Sequence, residues 1–316
     1  MRGIYCAIGL LTLACSAGGD GPGGASSPRS VAYETRVMGT QATVQVVTAD
    51  SAATAMCAGT AHLAFHAVDS LMSNWTDTSE IARVNREAHG GPVTVHPEVA
   101  KVLAAAMNIG IESHGAFDIT VEPLVRAWGF LGGRPHVPDE ETLRAAQAAV
   151  GLERVSFDPG SRRLELAAPN VRVDLGGIAK GYGVDRGVDA LRACGVTQAL
   201  VDISGNMYAL GTPADRPSWM IGVRDPRDRL PFVARVELTD RAVATSGTYE
   251  QFVDHEGKRY GHILDPRTGM PAEGLISVTV LAADAMTADG WSTALFVLGP
   301  EAARAMAAQH DELDAI

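Results

Sequence analysis

VRVDLGGIAKGYGVD, residues 171–185, is the stretch on which the fold turns. Val171, Val173 and Leu175 alternate with Arg172 and Asp174, the two-residue period of a strand. Gly176-Gly177 then predicts a turn that larger residues would obstruct. Beyond it Ile178, Tyr182, Val188 and Leu191 recur at helical spacing as far as Cys194-Gly195, where Gly is a natural stop. Strand, glycine turn and helix together put backbone N–H groups at a helix start. Lys180 lies in the first turn of that helix, and the carboxylate of Asp174 on the strand before it. Such a geometry suits a phosphate or pyrophosphate. Two familiar nucleotide motifs fail here. Gly181 follows Lys180 where a P-loop needs Ser or Thr, and Gly181, Gly183 and Gly187 are spaced too widely for GxGxxG. The plain alternative is a glycine turn in an ordinary βα unit, with Lys180 in solvent.

Working outward, 316 residues of which 46% are hydrophobic can bury the core of one large domain or two moderate ones. A net charge of −11 with no long basic run argues against a nucleic-acid partner, which would want a basic face. The four cysteines (Cys6, Cys15, Cys57, Cys194) have no zinc-site spacing. Cys57 and Cys194 are read as small buried apolar side chains, with one disulfide between them as the alternative.

Residues 1–15, MRGIYCAIGLLTLAC, carry Arg2 and then an apolar run from Ile4 to Ala14. A bilayer span needs about twenty apolar residues, so this reads as an export signal. Leu11 to Cys15 resembles a bacterial lipobox with Cys15 as the lipidated residue, although Thr12 stands where Leu is usual; an ordinary signal peptide cut nearby is the other reading. Residues 16–30, rich in Gly, Ser and Pro, read as a flexible tether. The expectation is a domain from residue 31 onward, standing off a membrane on the periplasmic side of a bacterial cell envelope.

Within that domain, strands are predicted at Ala42–Val47, Ala199–Ile203, Trp219–Arg224, Phe232–Leu238, Ala242–Ser246 and Ser277–Ala282. Helices are predicted at Ala52–Met72 (Leu63, Val68 and Leu71 inward), Pro97–Ser113 and Glu140–Val150, and a hairpin turning at Asp158-Pro159-Gly160. Ser79 reads as a helix cap, Asp118 as a cap or turn residue in an apolar run, and Ser204-Gly205-Asn206 as a loop. Trp75 lies in a polar loop, and His262 stands three residues before Asp265 in HILDPRTG. Asp289 and Thr293, at i and i+4, share one helix face, and their hard oxygens suit Mg²⁺; the alternative for Asp289 is a first-turn carboxylate favoured by the helix dipole. No strand is expected after the helix from Glu301, so the C-terminus reads as cut short.

In this order the segments resemble the ApbE family of bacterial FAD:protein FMN transferases, many of them lipoproteins. The resemblance rests on Met38-Gly39-Thr40, Ser73 to Asn85, Gly115-Ala116-Phe117-Asp118, Asp174 to Asp185, Ser204-Gly205-Asn206, Ser246-Gly247, His262 to Gly269 and Thr287 to Thr293. It implies a mixed α/β single domain of sheets with packed helices, rather than a Rossmann fold. It also implies the reaction: the FAD pyrophosphate is split, FMN is joined through a phosphoester to a Thr or Ser hydroxyl of an acceptor flavoprotein, and AMP leaves. The acceptors implied are subunits of membrane redox complexes. Carried over residue by residue, Met38, Trp75, Ala116, Phe117, Asp118, Asp174, Lys180 and His262 would line the FAD site. Asp289, Thr293 and the Gly177 carbonyl would hold Mg²⁺. Lys180 would face a phosphate oxygen, and Asp174 or His262 would take the acceptor proton. Trp75 stands where Tyr is common, and stacking survives that change. Two rivals remain: an FAD hydrolase using the same site, and a tethered flavin-binding or solute-binding lipoprotein without chemistry.

Overall fold

The first hairpin is set by its turn. Met38 (φ 50°) and Gly39 (φ 72°) both adopt left-handed conformations, as a two-residue type I′ turn requires. The computed structural model describes residues 27–249 and 251–316. The expected export signal, Cys15 and most of the expected tether lie outside the described residues. In chain order the elements are β1 (Arg29–Val37), β2 (Thr40–Thr48), α1 (Ser51–Met72), α2 (Glu80–Glu87), β3 (Val93–Thr94), α3 (Pro97–Glu112), α4 (Glu122–Ala127) and α5 (Glu140–Gln147). Then come β4 (Val155–Asp158), β5 (Arg163–Leu166), α6 (Ala179–Ala193), β6 (Ala199–Ile203), β7 (Asn206–Leu210), β8 (Trp219–Arg224) and β9 (Phe232–Leu238). The chain continues through β10 (Arg241–Gly247), β11 (Phe252–His255), β12 (Lys258–Gly261), β13 (Ser277–Ala282), α7 (Ala285–Leu298), α8 (Pro300–Ala307) and β14 (Asp314–Ala315).

This is the mixed α/β architecture expected. A seven-stranded antiparallel sheet runs β1-β2-β6-β7-β10-β13-β14. Helices α1, α6 and α7 pack together over one face, where Phe65, Val184, Val201, Ala244 and Phe296 are all buried. The β8–β9 hairpin covers part of the other face through Trp219, Ile221 and Leu238, against Leu200, Met207, Ala209 and Val243. A third small cluster (Leu124, Trp128, Phe130 and Leu264) fixes the 262–269 loop on α4, and Trp128 Nε1 donates to the Gly269 carbonyl at 2.9 Å. Among the described residues, no helix is long and apolar enough to cross a membrane.

Several expectations are corrected. Residues 171–175 keep the alternating burial of a strand but belong to no sheet among the described residues. Their backbone is held by side-chain amides: Val173 N–H donates to Asn85 Oδ1 (2.7 Å), and the Val173 carbonyl accepts from Asn85 Nδ2 and Asn74 Nδ2, each at 2.9 Å. Helix α6 therefore does not belong to a βα unit. Leu63 is 69% exposed, so α1 faces the core through Cys57, Ala61, Phe65, Val68 and Met72 instead. A strand does follow α8, since β14 pairs with β13 at Leu281↔Asp314 and Val280↔Ala315.

Cys57 and Cys194 form a disulfide, the alternative reading of that pair, tying α1 to the C-terminal end of α6 with their Cα atoms 5.7 Å apart. The bridge closes a separation of 137 residues. Constraining so long a loop in the unfolded chain is worth roughly 2–4 kcal/mol. Cys57→Ser, or a reducing agent on the native protein, is expected to lower the melting temperature in scanning calorimetry by roughly 5–10 °C. An unchanged melting temperature would mean that helix packing alone holds α1 against α6.

Candidate active site

The site is built where α6 and α7 cross. Gly181 on α6 lies so close to α7 that an added Cβ would overlap the Ala285 carbonyl and come within 2.7 Å of Asp289 Cβ. This contact lets the Gly181 N–H donate to Asp289 Oδ2 at 2.9 Å. One turn further along α6, the Asp185 carboxylate accepts from the Ala285 and Met286 N–H groups at 2.7 and 2.9 Å. Burial pushes Asp185 up to about 7, against the pull of those two donors. Asp284 caps α7 by accepting from Thr287 N–H at 2.8 Å. The start of α7 is thereby capped by its own Asp284 and fixed against α6 by Asp185.

Asp289 is 4% exposed. Burial raises its carboxyl above the usual range, and the Lys180 charge and the Gly181 N–H pull it back. A buried carboxylate wants a compensating cation. Thr293 lies one turn along on the same face, and a Cβ at Gly177 would sit 3.4 Å from its Oγ1 and 3.1 Å from the Phe117 ring. Ser246, from β10, has its hydroxyl 3.2 Å from Thr293 Oγ1 and 2.8 Å from Ser292 Oγ. The donors gathered here are hard oxygens around one carboxylate. Among the described residues there is no cluster of three or more His, Cys, Asp or Glu placed to hold a metal. A carboxylate with neighbouring hydroxyls has the hard-oxygen chemistry that suits Mg²⁺ rather than zinc.

Lys180 Nζ donates to the Gly176 carbonyl at 3.2 Å, and its charge is felt by both Asp289 and His262. It is half-buried, tied back to the turn that precedes its own helix. Asp174 accepts from the Gly176 N–H (2.6 Å), which shapes the turn, and donates its own N–H to Ile119 O (2.7 Å), which docks the turn on the 116–119 loop. His262 is half-buried, with Nδ1 3.2 Å from the Gln251 carbonyl and its ring edge-on to Phe130. Burial and the Lys180 charge lower its pKa to about 4. Met38 reaches α6, with its methyl 3.2 Å from a Cβ built at Gly183.

The remaining expected residues divide. Phe117 and Ala116 are buried, Phe117 against Gly177. Asp118 is a capping residue, accepting from Thr120 N–H (2.7 Å) and Oγ1 (2.6 Å), and burial raises its pKa. It also lines a cleft of about 430 Å³ shared with His114, Gly151, Glu153 and Arg267. Trp75 is 70% exposed, at the far end of the Ser73–Asn74 segment that holds Val173.

The sequence profile of the ApbE family matches residues 38–316. The chain is 33% identical to the FAD:protein FMN transferase of Salmonella typhimurium, over 96% of this chain and 88% of that one. Its fold superposes on the flavin transferase ApbE from Vibrio cholerae with a TM-score of 0.83 at 33% identity, covering 91% and 93% of the two chains. For the flavinyl transferase ApbE of Pseudomonas stutzeri the TM-score is 0.81 at 35% identity, covering 91% and 90%.

The chain belongs to the ApbE family.

Several residues of this ApbE site escape a reading of the sequence. Asn74 and Asn85 hold the turn segment in place of a sheet, whereas the sequence offers them only as polar members of the Ser73 to Asn85 motif. Asp185 looks like one more surface carboxylate on α6. Ser246 stands in the Ser246-Gly247 motif with no role the sequence assigns, yet it touches the Thr293 hydroxyl. The signal for Asp185 was available, because it follows Gly181 by four residues and so shares the face that meets α7.

Proposed function

We propose that the protein transfers the FMN moiety of FAD to a Thr or Ser hydroxyl of an acceptor flavoprotein, with Mg²⁺ held by Asp289, Thr293 and the Gly177 carbonyl. The observation that carries this reading is the buried Asp289 carboxylate, delivered to the Gly176-Gly177 turn by the α6–α7 contact, in a chain whose relatives bear that activity in their names. When bound, the ion neutralises charge on the pyrophosphate and on the departing AMP. Lys180 supplies a second positive charge beside the same oxygens. Phe117 and the packed helices exclude water from one side of the turn.

In the transfer step the acceptor oxygen attacks the FMN-side phosphorus. A new P–O bond forms, the P–O bond to AMP breaks, and AMP leaves with the electron pair as a phosphate monoester. The hydroxyl proton passes to His262. Its Nδ1–H is directed to the Gln251 carbonyl, which leaves the Nε2 lone pair open. With its pKa near 4, His262 is neutral at pH 7 and takes the proton only transiently. His262→Ala is expected to lower the transfer rate roughly 10²- to 10⁴-fold with little change in FAD affinity. The wild-type rate should stay level from pH 8 to near 5 and fall as His262 protonates. Stability follows the same group: its folded pKa of about 4 lies below the unfolded 6.5, so the contribution of neutral His262 is complete above 6.5 and lost as pH falls through that window. A pH–rate profile that is the same for wild type and His262→Ala would remove His262 from proton transfer.

The lipobox-like end of residues 1–15 supports export and lipid anchoring at Cys15, which would bring the enzyme to acceptor subunits of membrane redox complexes. Intact-mass measurement of an acceptor domain incubated with the protein, FAD and Mg²⁺ tests the whole reading. A gain of one FMN, lost with EDTA, is expected. Free FMN and AMP beside an unmodified acceptor would instead make the protein an FAD hydrolase.

A further inference from the structure

The sheet has a fork beside the site. Pairing of β7 with β10 ends at Met207↔Val243, whereas β10 goes on pairing with β13 as far as Gly247↔Ser277. The β6–β7 hairpin turns at Ser204-Gly205, so Ile203 and Asn206 are the hydrogen-bonded pair that closes it. Alternation then aims the N–H and C=O of Met207 and Val243 at each other. On β10 the next residues facing that side are Thr245 and Gly247, which no strand among the described residues meets. The 2.8 Å contact between the Thr245 and Thr279 hydroxyls agrees, because side chains approach closest at pairs whose backbone groups point away from each other.

The gap has two different walls. On the helix side stands Asn206, 3% exposed, whose Oδ1 has no hydrogen-bond partner among the described residues, although Nδ2 donates to the Ile203 carbonyl at 3.3 Å. It shares that side with Ser246, whose hydroxyl touches Thr293. On the opposite side Gly205, Met207, Ile221, Val223, Thr245 and Tyr249 line a small cavity of about 20 Å³. A buried acceptor left unpaired costs free energy unless something donates to it.

We propose that an extended segment of the acceptor protein, bearing the target Thr or Ser, docks as an added strand along Thr245–Gly247. The inference rests on the transfer reading above. Backbone pairing to Thr245 and Gly247 supplies register, as in other strand-addition complexes. The side chain turned toward Asn206 and Ser246 is the hydroxyl residue, because that face leads directly to Thr293. Asn206 Oδ1 accepts an N–H or O–H from the segment. The flanking side chains turn to the small cavity, which restricts them to residues such as Gly, Ala or Ser. The Tyr249 ring, packed over Gly247, forms the outer wall.

The test uses the protein with FAD, Mg²⁺ and synthetic peptides in which Thr is flanked by Gly and Ala, with Leu-flanked versions as controls. Three quantities are followed: FMN mass gain on the peptide, AMP release, and hydrogen exchange of the Thr245 and Gly247 amides. The Gly/Ala peptide should slow exchange at both amides about tenfold, FAD alone should not, and the Leu-flanked version should be a poor substrate. Thr245→Pro removes one N–H on the gap side and leaves the β13 ladder intact, so it should raise the peptide KM about tenfold. Asn206→Leu should lower kcat/KM for the peptide to a similar degree, with FAD affinity held within about twofold. The exchange measurement on wild type stands even if either variant fails to fold. Peptide modified without protection at Thr245 and Gly247, or modified equally well by both folded variants, overturns the docking site while leaving transfer intact. AMP release with no peptide modified overturns the transfer reading, and the docking site with it.

Discussion

Asp289→Ala is expected to abolish Mg²⁺-dependent FAD turnover, lowering kcat/KM about a thousandfold, or about 4 kcal/mol of transition-state stabilisation. The carboxylate is the only acidic side chain in the proposed ligand set, so Thr293 and the Gly177 carbonyl alone would hold the ion weakly. The fold should survive. Burial already disfavours the Asp289 charge, and its hydrogen bond from Gly181 N–H is one contact of a well-packed helix pair. Relief of desolvation and loss of that bond nearly cancel, leaving a change within about 1 kcal/mol. Asp289→Asn separates the parts, since it keeps shape and a carbonyl acceptor for Gly181 but removes the charge. Both variants should be inactive at ordinary Mg²⁺ with wild-type melting curves, the Asn form recovering some rate as Mg²⁺ is raised. Turnover of Asp289→Ala at the wild-type rate would place the ion elsewhere or make the reaction metal-independent.

The contrast between what the sequence discloses and what it hides is physical. Helix α6 was legible because its apolar period and the Gly195 stop are both local signals. Asp289 and Thr293 were legible because i, i+4 spacing is a property of any helix. Residues 171–175 misled because alternation reports burial on one side, not hydrogen bonding to a neighbour, and here amides from Asn74 and Asn85 replace the ladder. Strand β7 was hidden for the opposite reason. All five of its residues are buried, between helices on one face and β8–β9 on the other, so it has no alternation to detect. The Cys57–Cys194 bridge joins residues far apart in the chain, and spacing could not decide between it and two apolar thiols. Trp75 lies in a polar loop by sequence, and its ring is 70% exposed there.

Gly181→Ala is expected to damage the same site as the loss of Asp289, for a different reason. The added methyl would enter the space of the Ala285 carbonyl, a backbone atom that cannot rotate aside, and would press on Asp289 Cβ from 2.7 Å. Helices α6 and α7 must then separate. Overpacking of this kind costs about 1–3 kcal/mol, and more where backbone has to move. The displacement falls on the contacts that assemble the site: the Gly181 N–H to Asp289, and Asp185 to the Ala285 and Met286 N–H groups. Stability and Mg²⁺ requirement should therefore change together, with a melting temperature lowered by roughly 3–10 °C and a Mg²⁺ half-saturation raised about tenfold or more. This pairing distinguishes it from Asp289→Ala, which loses turnover with stability intact. Gly183→Ala is the control on the same helix, since a methyl there meets only the mobile end of Met38 and Ile203 Cδ1, at 3.2 and 3.1 Å. Those side chains can shift by the few tenths of an ångström required, so the control should keep its melting temperature and Mg²⁺ dependence. If Gly181→Ala matched the control in both measurements, the close α6–α7 approach would not be what brings Asp289 to the turn.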